Sequence, residues 1–239
     1  GMLLPALAKA KDRAKITTCI NNLRQIGLGM KMYVGDAGRF PPNFVADTNG
    51  ALKETTQTIG GTTPIPSHAP YWLSAERRPL YSYLPPSRVY HCPKDAGVRR
   101  VHVNPGIPLD IRPSPMFDTI GCSYSYNGGI LWFIGGTVHF RLPHDGVLGL
   151  SPESWVADPS KFILFYEPPA ATGGYYQWHF NRGITHFYDP KFAPQRFISP
   201  IAFVDGHVAV HNFSKSLTED PEYPYEPTKD WIWYKPKTP

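Results

Sequence analysis

Apolar or small residues at Ile16, Cys19, Ile20, Leu23, Ile26, Gly27, Met30, Tyr33 and Val34 recur at spacings of three and four, which keep side chains on one face of an α-helix. The stripe runs backwards through Ala14, Ala10, Leu7, Ala6 and Leu3. This predicts one amphipathic helix over residues 1–34. Gly35, Asp36, Gly38 and the run Arg39-Phe40-Pro41-Pro42 should end it, because these residues leave or forbid helical backbone. No Ser, Thr, Asp or Asn stands before Leu3 to cap a first turn. The pattern therefore reads as the later part of a longer helix whose apolar beginning lay upstream.

After Phe40 the helical period gives way to shorter runs. Residues 43–70 read as an irregular loop, with Gly60-Gly61, Pro64, Pro66 and Pro70. Ser74 to Leu84 suits a short helix with Ser74 as cap and Pro85-Pro86 as stop. Arg88–Cys92 and Cys122–Tyr126 read as strands, and Asn104–Asp118 between them as a Pro-rich loop. Residues 130–134 and 137–142 flank Gly135-Gly136, a hairpin signal. The apolar run Lys161–Tyr166 suits the centre of a sheet. Pro200–Val204 and His207–His211 flank Asp205-Gly206, which predicts a two-residue type I′ hairpin turn. Trp231-Ile232-Trp233-Tyr234 reads as a last extended segment that packs aromatics on the body. The division that follows is a helix over 1–34 and a β-rich head over 35–239, together forming one α+β domain.

Composition narrows the class. Only 18% of the 239 residues are charged, and 27 are proline, about twice the usual share. With aromatics at 14%, this is the composition of an extracytoplasmic protein more than of a cytosolic enzyme. The net charge of +5 does not point to nucleic acid. Its one dense basic run, Lys9, Lys11, Arg13 and Lys15, is spread over the polar side of the helix, as a solvated face would be.

No metalloprotease, nucleotide-binding or nucleophile-elbow motif is present, and the chain is read as non-catalytic. Glu167, after the apolar strand, is a candidate acid with a raised pKa or, more simply, a strand-end carboxylate paired with Arg or Lys. His207 and His211 share a strand face about 13 Å apart, at about 3.3 Å per residue, too far to chelate one ion. Asp205 is a weak calcium candidate; otherwise no metal or cofactor is expected. The three cysteines, Cys19, Cys92 and Cys122, lack zinc-finger spacing. They allow a Cys19–Cys92 disulfide, a Cys92–Cys122 disulfide, or three buried free thiols.

Several segments together resemble a known family. Leu3-Leu4-Pro5-Ala6-Leu7-Ala8-Lys9-Ala10-Lys11, then Cys19, Asn21-Asn22-Leu23-Arg24-Gln25-Ile26-Gly27-Leu28 and Gly38-Arg39-Phe40-Pro41-Pro42, are similar to bacterial prepilin-like proteins related to type II secretion pseudopilins. Cys92-Pro93-Lys94-Asp95, Ser123-Tyr124-Ser125-Tyr126-Asn127, the stretch from Pro159-Ser160-Lys161 to Glu167, and Phe203-Val204-Asp205-Gly206-His207-Val208 resemble further segments of that family. Its closing signature has a His, nine residues, then Asp-Gly. Here the upstream histidine is taken as His186, with 18 residues before Asp205.

The resemblance implies a pilin-like fold, with a long N-terminal helix packed on an antiparallel sheet and long Pro-rich loops. Cys19, Asn22, Leu23, Ile26, Gly27, Pro41, Cys92, Pro93, Glu167, His186, Asp205 and Gly206 become signature positions of a structural kind. It implies a subunit or accessory of a type II secretion pseudopilus or type IV pilus-like assembly. Such a protein is anchored in the bacterial inner membrane with its head on the periplasmic or extracellular side. Its partners are copies of itself or other pilin-like subunits, with a prepilin peptidase acting on the precursor. The alternative is a membrane-anchored module that binds polysaccharide through Tyr71, Trp72, Trp132, Tyr175, Tyr176 and Trp178.

Overall fold

The computed structural model describes residues 3–97, 115–129, 131–134, 137–140, 146–171, 177–179, 181–182, 197–219 and 227–235. The first element is the helix α1, Leu3–Ala37, 35 residues long and thus about 52 Å from end to end. It runs three residues beyond the expected end and stops where Gly38 turns left-handed at φ +71 and donates its N–H to the Val34 carbonyl at 2.8 Å. Glycine enters that region without the steric cost of a Cβ.

Only part of the stripe is buried. Cys19, Leu23, Ile26, Met30 and Val34 are buried in the core, but residues 4–14 are exposed all round, with Leu4 and Leu7 at 77% and 67%. Among the described residues no helix is long and apolar enough to cross a membrane.

The head is built on antiparallel pairs. β1 (Phe44–Ala46) and β2 (Leu52–Glu54) form a small ribbon inside the stretch expected to be irregular. Asp47 closes its turn, accepting from the Asn49 and Ala51 N–H groups at 2.8 and 2.9 Å. At the end of β2, Glu54 is buried. Ser74–Leu84 makes only a single 3-10 turn, Ala75–Arg77. Pro79 has no N–H to continue a helix and holds Arg78 extended at ψ 140. Arg78 is itself buried, and its guanidinium donates to the carbonyls of Leu73, Gly60 and Ile120.

Arg88–Tyr90 is a 3-10 turn rather than a strand. Its i→i+3 bonds close locally, and the Tyr90 hydroxyl donates back to the Leu84 carbonyl. After the five-residue α2 (Met116–Ile120), the expected strand 122–126 shortens to β3, Ser125–Tyr126. β4 (Leu131–Ile134) pairs with β5 (Thr137–Phe140), as the Gly135-Gly136 signal predicted. The loop expected over 104–118 lies outside the described residues up to 114.

β6 (Ile163–Tyr166) follows, then β7 (Gln177–Trp178), β8 (Asn181–Arg182), β9 (Ile198–Phe203), β10 (Val208–Asn212) and α3 (Ser214–Glu219). The main sheet has the order β10-β9-β6-β3, so the apolar 161–166 run is central, as its composition predicted. The β9–β10 hairpin also forms, but with a three-residue turn. Phe203 pairs with His207, the Gly206 N–H donates to the Phe203 carbonyl, and only Gly206 has positive φ, +99. That is a type I turn with a bulge glycine, not the expected type I′.

The sheet separates two apolar layers. Ala202, Val204, Leu164 and Phe165 share a cluster with the α1 stripe. Ile163, Tyr166, Ile201 and Phe203 pack with Phe213, Trp231, Trp233 and Tyr234 on the other side. The C-terminal aromatics thus pack on the body as expected, and Ile232 bridges to Phe162. Strand side chains alternate between faces, yet Leu164 and Phe165 share one. A bulge explains this: Ile163 pairs with Phe203, but Phe165 pairs with Ala202, the next residue along. The extra residue reverses the alternation, and Glu167 follows Tyr166 onto the α1 side.

Candidate functional site

Glu167 meets three other side chains beneath α1. Cys19, Cys92, Glu167 and His179 each present one ligand-type atom, and these atoms all lie within 4.8 Å of one another. The Glu167 and His179 side chains are 0% and 1% exposed, and both cysteines are buried.

Each donor arrives on a different element. Cys19 lies on the buried stripe of α1, one turn before Leu23. Cys92 is held against the helix by its neighbours: Asn22 Nδ2 donates to the His91 carbonyl at 2.9 Å and to the Tyr124 hydroxyl at 3.0 Å, and Lys94 pairs with Asp12 at 2.5 Å. Asp95 secures the far side of this segment. Its carboxylate accepts from the N–H groups of Gly97, Met116 and Phe117 and from Ser123 Oγ, at 2.7–3.0 Å. Burial still raises the Asp95 carboxyl to about 6, against those hydrogen bonds. Glu167 comes off the end of β6, turned inward by the bulge. His179 follows β7, where Trp178 pairs with Asn181 across the turn. His179 sits at φ +43 and, with Leu150, is one of the two non-glycine residues at positive φ among those described.

Contacts within the cluster are direct. His179 Nε2 is 2.9 Å from the Glu167 carboxylate and 3.5 Å from Cys92 Sγ. Ser199 Oγ donates to Glu167 at 3.2 Å. Burial opposes charging of His179, but the Glu167 carboxylate and the Cys19 sulfur prevail and push it up to about 10. Hydrogen bonding from Cys92 lowers the Cys19 thiol, while burial and then Cys19 drive Cys92 upward. The arrangement joins two sulfurs, an imidazole and a carboxylate in a water-poor place, a donor set suited to soft-metal ligation or to thiol–disulfide chemistry.

The structure sorts the residues singled out in the sequence. Glu167 pairs with His179 and Ser199, where an Arg or Lys partner was expected. The histidine brought to the signature glutamate is His179; His186 lies outside the described residues. All three cysteines are free thiols, and Cys19 and Cys92 face each other. Cys122 is set apart, its Sγ donating to the Tyr124 carbonyl at 3.1 Å, and burial raises it to about 11.

Leu23 and Ile26 are core residues, Gly27 is buried beside them, and the Pro41 carbonyl accepts from Tyr126. Pro93 is half-buried next to Cys92. Asp205 and Gly206 are exposed in the hairpin turn, and the Asp205 carboxylate is taken up by the His207 N–H and Nδ1 at 3.0 and 2.7 Å. His207 and His211 both contact the Phe203 ring. Trp178 is buried and Trp72 half-buried against the core. The side chains of Trp132 and Tyr176 lie outside the described set.

A family profile described as SBP_bac_10, protein of unknown function (DUF1559), matches residues 8–132, just over half of the 239-residue chain. The chain belongs to that family. No curated protein and no solved structure matches it. The matched DUF1559 region contains Cys19 and Cys92; Glu167 and His179 lie beyond it. Sequence spacing alone had no means of joining these four, since they stand on four separate segments. Two hints were available: the resemblance already grouped Cys19, Cys92 and Glu167 as signature positions, and Cys19 and Glu167 both fall on apolar stretches, where a polar residue needs a partner.

Proposed function

We propose that this chain is a pilin-like structural subunit or accessory of a type II secretion pseudopilus or type IV pilus-like assembly, with no catalytic role. The observation that supports it is the unequal burial of α1. From Cys19 to Val34 one face is packed on the antiparallel sheet, while residues 4–14 are exposed, tied to the head by the Asp12–Lys94 pair and with Leu4 and Leu7 open to solvent. A solvated helix of that length is marginal in water unless something packs on it. Leu28 and Met32, one turn apart on the outer side of α1, are also 65% and 58% exposed. Neighbouring subunits stacked helix to helix would cover both patches. Such head-to-tail contacts between like copies build open filaments.

In this reading α1 continues upstream into an inner-membrane anchor. The head lies on the periplasmic or extracellular side, and a prepilin peptidase trims the precursor. The polysaccharide-binding alternative gains nothing from Trp178, whose ring is enclosed in the core. To test the assembly reading, a photo-crosslinking amino acid is placed at Leu7 in the full-length protein in its native bacterium. The expected result is a ladder of adducts with copies of the chain or with other subunits that carry such a helix. Full-length protein found outside the membrane fraction with no adduct at Leu7 would refute it.

A further inference from the structure

We propose that Cys19, Cys92, Glu167 and His179 form a closed four-ligand site for zinc, which pins α1 to the head. Around a tetrahedral zinc ion, ligand atoms stand about 3.3–3.8 Å apart. The four atoms here already lie within 4.8 Å of one another, with two of the separations at 2.9 and 3.5 Å. An ion at their centre needs only side-chain adjustment. Two sulfurs favour a soft or borderline metal, and the imidazole and carboxylate fit zinc among these. All four positions are filled by protein, which is the form of a structural site and not of a catalytic one.

The surroundings are those of a built site. Ser199 Oγ holds Glu167, and the Lys94 backbone N–H is directed to the Cys92 sulfur, as partners behind metal ligands commonly are. The left-handed backbone at His179 is a local strain accepted in order to aim this ring inward. A Cys19–Cys92 disulfide would use the two sulfurs but gives no reason for an acid and an imidazole buried against them. Binding displaces the protons of both thiols and of the imidazolium, up to three released to solvent, with no redox change. The site is independent of the filament reading: it would fasten the helix to the sheet whatever the helix then contacts.

The test uses the protein purified under reducing conditions. Metal analysis should find about one zinc per chain. Replacement by cobalt(II) should give the visible bands of a tetrahedral site and a thiolate-to-cobalt charge-transfer band. Cys92→Ser should weaken zinc binding by at least about 100-fold, and Ser199→Ala, which leaves every ligand in place, by about 10-fold. Cys122→Ser should change neither stoichiometry nor spectrum, and it guards against a general effect of thiol loss. Reduced, folded wild-type protein that takes up no zinc or cobalt overturns the proposal. So does a cobalt spectrum without the charge-transfer band, or one that Cys122→Ser abolishes as fully as Cys92→Ser. An aerobic preparation whose Cys19–Cys92 disulfide, once reduced, gains no zinc would assign the sulfurs to redox chemistry instead.

Discussion

Glu54 offers a test of the head's electrostatics that is independent of any ligand. It ends β2 in a buried position, and burial alone raises its carboxyl from 4.5 to about 8. The unfolded chain gives up this proton near pH 4.5, whereas the folded chain keeps it to about pH 8. Between those values the folded state binds more protons than the unfolded one, so stability falls as pH rises through the window. The full rise is worth about 5 kcal/mol. Relaxation and water entry around a newly charged carboxylate reduce the realised loss to about 2–3 kcal/mol. Glu54→Gln keeps the shape and removes the titration. In urea unfolding, wild type and variant should agree near the lower end of the window. The variant should become the more stable by about 2–3 kcal/mol at about pH 8.5. If the two lose stability in parallel from acid to mildly alkaline pH, Glu54 is not a desolvated carboxyl and the reasoning fails.

Arg78→Lys should lower unfolding free energy by about 2–4 kcal/mol, because a point-like ammonium cannot bond the Leu73, Gly60 and Ile120 carbonyls that the planar fork reaches together; a neutral result in chemical denaturation would refute this. Leu23→Ala should cost about 2–5 kcal/mol, since its side chain is fully enclosed between α1 and the sheet. Leu7→Ser should change the stability of the isolated chain by no more than about 0.5 kcal/mol, and equal losses from the two would contradict the division of α1 into packed and projecting parts. Gly206→Ala, at φ +99 with open space where the Cβ would go, should cost about 1–2 kcal/mol through backbone strain alone, read as a lowered denaturation midpoint.

The features legible in the sequence were those that local periodicity controls. Steps of three and four gave α1 and the identity of its buried face, and a short all-apolar run gave central β6. Asp205-Gly206 marked the closing hairpin, although the turn proved one residue longer. Periodicity could not say where burial stops. Leu7 and Leu23 both belong to the apolar run, but sixteen residues of helix set them about 160° apart around its axis, and only Leu23 faces the sheet. Pro79 defeated the reading at Ser74–Leu84, and around Arg88 the backbone bonds close in an i→i+3 turn that hydrophobic patterning does not report.

The cluster was hidden for a stricter reason. A strand's alternation fixes which residues share a face only until a bulge intervenes. Counting by twos from Ile163 puts Glu167 on the face of Trp233 and Phe213, away from α1. The bulge between Ile163 and Phe165 reverses that parity and sends the carboxylate towards Cys19. One unpaired residue, with no sequence signal of its own, thus decides whether Glu167 meets two sulfurs and a histidine or a layer of aromatic rings. His179 depends on similar geometry, since the turn after β7 must hold a non-glycine residue at positive φ to bring its ring inward. Two local irregularities, each costly or unremarkable alone, bring the four donors together, and that convergence favours a built site over a chance meeting of buried polar groups.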